Sequence, residues 1–182
     1  MFENAEFLKT QPSFNPGDTL TVQSNLRFAV GSFDFGLQLR GAVDDLCRRG
    51  LAPASFHYLA LAQIFAGERL IGVSGPPVNI VALAFLENRE PFGCTTGALH
   101  DCLLDELGSG ARSLKEALSH WLVPRHAEHF QEIVERGKIQ LWIRLTSAED
   151  ERSACQSLLA NSSNSVGVHD LVARPRRDDG RI

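Results

Sequence analysis

The stretch from Ile139 to Val172 limits the possible folds more than any other. Ile139, Leu141, Ile143 and Leu145 alternate with Gln140, Trp142 and Arg144, the period of two that a strand imposes on its faces. Ser147 then stands where a helix start needs a hydroxyl to accept an orphan amide. Ala154, Cys155, Leu158 and Leu159 fall on one helical face. Asn161 to Ser165 has turn composition, and Val166 to Val172 reads as a last strand. Strand, helix and strand in so short a span make a βαβ unit, with its preferred right-handed crossover.

An earlier stretch repeats the plan. Leu26, Phe28 and Val30 alternate with Arg27 and Ala29, so Leu26 to Phe33 is a strand. Phe35 to Arg49 follows as a helix, with Phe35, Leu39, Val43 and Leu46 inward, Asp34 as its cap and Gly50 as its stop. Phe56 to Leu61 is the second strand.

Between the two units lies an irregular insertion of about 62–112, rich in glycine and proline. Within it, Val78 to Leu86 reads as a strand. Leu99 to Leu107 reads as a helix ended by Gly108. Beyond it, Ser113 and Glu116 match a capping box, and the helix that follows turns Leu114, Ala117, Leu118 and Trp121 inward. Pro124 suits the first turn of the next helix. Ala127, Phe130, Ile133 and Val134 form that helix's apolar face, and Gly137 stops it.

The order β-α-β, insertion, α-α, β-α-β predicts an α/β (α+β) chain. Its two βαβ halves would share an antiparallel sheet with helices on one face, the ferredoxin-like plan. Two packed α/β subdomains hinged at the insertion are the alternative. The expected organisation is an irregular lead-in over 1–24, one domain over 25–173 and a flexible tail over 174–182.

A chain of 182 residues, 43% hydrophobic, buries enough surface to fold without disulfides or metals, and no cofactor is expected. Its net charge of −4 argues against a nucleic-acid partner, which needs a concentrated basic face. The one basic cluster, Arg174, Arg176 and Arg177, is diluted by Asp178 and Asp179. The longest apolar stretch, Leu70 to Phe85, is broken by Gly72, Gly75, Pro76, Pro77 and Asn79. It falls short of the ~20 residues a membrane helix needs, so no membrane partner is expected. Met1 to Thr10 has no basic region leading into an apolar run. The expected compartment is the cytoplasm, where Cys47, Cys94, Cys102 and Cys155 are free thiols.

Three groupings carry potential chemistry. Cys94, His100 and Cys102, with His129 supplied from a later helix, have the atoms of a zinc set, although Cys-x5-His-x-Cys is not a zinc framework and buried structural cysteines are the plainer reading. His120, His126 and His129 gather at one helix corner, where imidazoles serve as bases or pH switches, but no nucleophile motif stands beside them. Gly93-Cys94-Thr95-Thr96-Gly97 precedes a helix and would offer hydroxyls and amides to an anion. The expected ligand pocket lies between Thr95, Thr96, Trp121 and His126. Neither Gly72 to Pro77 nor Gly31 to Gly36 fits a nucleotide loop.

From Trp121 to Leu171, the sequence Val-Pro-Arg-His-Ala opens a helix that ends at Val134-Glu-Arg-Gly-Lys138. An alternating strand, a Glu149-Asp-Glu-Arg152 helix start and Val168-His-Asp170 in the last strand follow. This pattern, with Phe28 to Leu61, resembles bacterial heat-induced or general-stress proteins of undefined function. Many of those carry a glycine-zipper apolar segment where this chain has the more polar Leu70 to Gly110. The resemblance implies a stress-associated role and supplies no catalytic residue. The expected function is therefore a non-catalytic binding or interaction module, with a homodimer across an exposed sheet edge and a small-molecule or anionic ligand. A small enzyme or a metal-binding regulator, built on the Cys94/His100/Cys102 and His120/His126/His129 groups, is the alternative.

Overall fold

The computed structural model describes residues 25–34, 36–66, 79–164 and 166–172. The expected lead-in over 1–24, the Gly72 to Pro77 loop and the tail over 174–182 lie outside them. In chain order the elements are β1 (Asn25–Phe33), α1 (Gly36–Arg48), β2 (Phe56–Leu61), α2 (Ala62–Ala66), β3 (Ile80–Leu83), β4 (Phe92–Thr95), α3 (Ala98–Gly108), α4 (Leu114–Leu118), α5 (Pro124–Glu135), β5 (Ile139–Leu145), α6 (Ala148–Asn161) and β6 (Gly167–Val172). The chain is thus mixed α/β. Among the described residues the strands form one six-stranded sheet, ordered β3-β4-β2-β5-β1-β6, in which every neighbouring pair is antiparallel. No helix among the described residues is long and apolar enough to cross a membrane.

Local chemistry explains the boundaries. Ser147 Oγ accepts the Asp150 amide at 3.0 Å and starts α6. Ser113 Oγ accepts the Glu116 amide at 3.2 Å. The Glu116 carboxylate reaches one residue further back than a capping box requires, to the Arg112 amide at 2.7 Å. Pro124 opens α5 where its missing amide costs nothing. Gly137, at φ +82°, takes the left-handed turn that ends the same segment. Asp34, expected as a helix cap, pairs with Lys138 Nζ at 2.8 Å.

Register assigns each side chain to a face, because directly paired residues point the same way. Val30 pairs Trp142 and Trp142 pairs His57; Phe28 pairs Arg144 and His169; Leu59 pairs Gln140 and Cys94. These residues share one face. Ala29, Gly31, Phe33, Phe56, Tyr58, Leu141 and Ile143 share the other. α1 and α6 pack on the second face and on each other. There a β-carbon on Gly31 would fall 2.8 Å from Leu158 Cδ2, which is how closely α6 seats on β1.

Helices were expected on one face only, and the structure corrects this. α5 lies across the first face, with the Phe130 ring 5.4 Å from that of Trp142, and α3 packs on β4. Gln140 and Trp142, which alternate with apolar neighbours as if facing solvent, are fully buried. Their polar atoms are satisfied. The Trp142 indole donates to Gln140 Oε1 at 3.1 Å, and Gln140 Nε2 donates to the Phe130 carbonyl at 3.0 Å. In α6, Leu159 is 71% exposed rather than inward. Ser157 takes the buried position and donates its hydroxyl to the Ala42 carbonyl. Gly93, Cys94 and Thr95, read from the sequence as the start of an anion-binding stretch before a helix, are strand residues of β4.

Candidate functional site

The corner where β4 turns into α3 gathers the unusual chemistry. Gly97 makes the turn at φ +131°, and no side chain caps the helix it starts. His57 lies directly beneath. A β-carbon on Gly97 would sit 2.7 Å from His57 Cε1 and 3.2 Å from Nδ1, so only glycine leaves room for the imidazole.

His57 is 4% exposed. Its ring meets Phe28 edge-on at 5.7 Å, and its Nδ1 has no hydrogen-bond partner among the described residues. Burial, with Arg144 adding to it and Asp101 opposing, pushes the imidazole down to about 4. Arg144 stands two residues from Trp142, the register partner of His57, on the same face. That diagonal spans roughly 7–8 Å between Cα atoms. Arg144 is exposed and forms no ion pair among the described residues. Asp101, in the first turn of α3, meets His100 Nδ1 at 3.3 Å. His100 Nε2 is a second buried imidazole nitrogen without a partner.

The expected ligand residues do not form one pocket. Thr95 is buried, and its Oγ1 accepts the Tyr58 amide at 2.9 Å, which extends the β2–β4 ladder. Thr96 is exposed beside Gly97. Trp121 donates its indole N–H to the Val172 carbonyl of β6 at 3.2 Å, and the His126 ring meets His169 of β6 at 6.1 Å. β4 and β6 are four strand spacings apart, roughly 19 Å. Thr95 and Thr96 are therefore far from Trp121 and His126.

The expected metal set is likewise not assembled. Cys94 lies on β4, His100 and Cys102 lie on α3, and His129 is exposed on α5. Among the described residues no three His, Cys, Asp or Glu side chains converge on a metal position. Cys94 Sγ instead points to the Thr95 carbonyl at 3.5 Å. Burial raises both thiols, Cys102 to about 11 and Cys94 further. Neither is a thiolate nucleophile at neutral pH.

The histidine corner divides in three. His120 Nδ1 pairs with the buried Glu106 at 2.7 Å. His126 leans on His169, whose half-buried ring also meets Phe130 at 5.4 Å and is lowered by burial and by His126. His129 stays outside. A shallow cleft of about 300 Å³, lined by Leu61, Arg89, Glu90 and Glu135, is a separate feature.

Sequence reasoning missed His57 and Arg144. The available signal was one imidazole inside an otherwise apolar strand, together with one arginine on a strand whose other outward residues are buried. Against known proteins, the chain matches no family model, and no curated protein or solved structure is significantly similar to it.

Proposed function

We propose that this chain is a non-catalytic binding module whose ligand sits at the β4–α3 corner. The observation that carries this reading is the buried Nδ1 of His57, left without a hydrogen-bond partner among the described residues beneath an uncapped helix start. Leaving such a group unpaired costs about 1–3 kcal/mol, a cost that a bound ligand offsets. The protonated Cys94 and Cys102 thiols weigh against the enzyme alternative, and their scattered neighbours weigh against the metal-regulator alternative.

The scaffold belongs to the same proposal. The order β2-β5-β1-β6, with α1 and α6 on one face, supports a ferredoxin-like core, which β4 and β3 extend. Homodimerisation across a sheet edge, a cytoplasmic setting and a stress-associated role complete the reading. The last rests on the resemblance over Phe28 to Leu61 and Trp121 to Leu171.

A thermal-shift screen of metabolites tests the central claim. A ligand of this corner raises the melting temperature by mass action and perturbs the amide resonances of residues 97 to 100. Stabilisers that all perturb other regions would sink the assignment. Sedimentation equilibrium tests the dimer, and a monomer at high micromolar concentration removes it.

A further inference from the structure

We infer that the β4–α3 corner takes a small oxyanion, a carboxylate or a phosphate group, held between the first-turn amides of α3 and the Arg144 guanidinium above His57. The inference rests on the binding reading above and names its ligand class.

Three independent features converge. α3 runs for eleven residues and has no side-chain cap. Its first-turn amides therefore point outward with the positive end of the helix dipole. His57 is nine-tenths buried, its Nδ1 has no partner among the described residues, and its Nδ1–Cε1 edge faces Gly97, the residue that starts the helix. Arg144 lies on the same face of the sheet at the level where β4 gives way to α3. Leu59 pairs Cys94 while Phe56 pairs Ile143, so the row through Arg144 meets the chain just past Thr96. Arginine offers two parallel donors, the geometry a carboxylate or phosphate accepts.

The groups facing His57 set the proton linkage. Arg144 from β5 disfavours the imidazolium, Asp101 from α3 favours it, and the Cys94 thiol from β4 stays neutral. An anion beside the ring favours its protonation, so anion affinity rises as pH falls. Asp101 carries a negative charge in the first turn of the same helix and opposes the anion. Removing that charge strengthens binding.

The test is amide and imidazole NMR on the full chain, titrated with sodium acetate and with inorganic phosphate at constant ionic strength, at pH 5.5 and 7.5. Saturable shifts at residues 97 to 100 and at the His57 ring are expected, tighter at the lower pH for acetate, which is ionised at both. Response to acetate alone names a carboxylate ligand, and response to phosphate alone names a phosphate ligand. Arg144→Ala weakens binding about tenfold or more, and Asp101→Asn tightens it severalfold. Both side chains are exposed, so both variants fold. Linear shifts unchanged by Arg144→Ala overturn the inference. If neutral compounds move these resonances while both anions leave them fixed, the oxyanion class falls and the binding reading stands. If nothing moves them, both fall.

Discussion

The face of the sheet beneath α1 and α6 is lined by Ala29, Gly31, Phe33, Leu141 and Ile143, with Leu39, Val43, Leu46, Ala154 and Leu158 packed down onto it. The face beneath α3 and α5 is buried as completely at its centre, yet it holds His57, Gln140, Cys94 and Trp142. The first contributes stability through close aliphatic packing, where the smallest residue in the strand decides how near a helix comes. The second spends part of its burial on polar groups, some satisfied by neighbours and one not. A polar group without a partner in a protein interior is costly. Finding it on the face that also carries an uncapped helix start is what sets the proposed binding surface apart from the scaffold.

The largest effect that tests this contrast comes from Trp142→Ala. The indole is fully buried among Phe28, Phe130 and the half-buried His169, and its loss costs about 3–5 kcal/mol in urea unfolding. A cost below about 1 kcal/mol means that the aromatic face is loosely packed and the contrast is misdrawn.

Acid comes next. The His57 imidazole is neutral in the fold down to about pH 4, whereas the unfolded chain protonates near the ordinary 6.5. Stability conferred by the neutral ring is full above pH 6.5 and declines as pH falls from 6.5 towards 4. The loss reaches about 3 kcal/mol. His169, lowered in the same direction, adds to it. His57→Leu is expected to flatten much of this slope, and unfolding curves at half-unit pH steps measure it. A slope identical to the parent places the acid sensitivity elsewhere.

On the aliphatic face, Gly31→Val drives a branched side chain into Leu158 and Ser162 and costs about 1–3 kcal/mol by overpacking. It leaves the pH slope untouched. The smallest effect is Ser147→Ala, which removes the α6 cap for about 1 kcal/mol, read as a small shift in urea midpoint.

Much of the scaffold was legible because period and caps are local. The β2 and β5 boundaries, the Ser147 cap and the Pro124 helix start all follow from residues a few positions apart. The site was not legible, for two reasons. Alternation assigns Gln140 and Trp142 to one face but does not reveal that α5, a separate helix, covers it. Strand order is also non-sequential, so Thr95 and Trp121, which looked like neighbours across a helix corner, stand near opposite edges of the sheet. The Gly93–Gly97 stretch drew attention for its hydroxyls. Its structural content is the glycine that makes room for an imidazole from another strand.

The position of β1 carries a consequence for how the chain folds. Its two partners are β5 and β6, with Arg27 reaching Asp170 across 143 positions of sequence. During synthesis this strand can pair with neither neighbour until residues 139–172 have emerged. Closing such long loops is slow, and an apolar strand left waiting is exposed to aggregation. The nascent chain therefore carries β1 without either of its strand partners until residues 139–172 have been made.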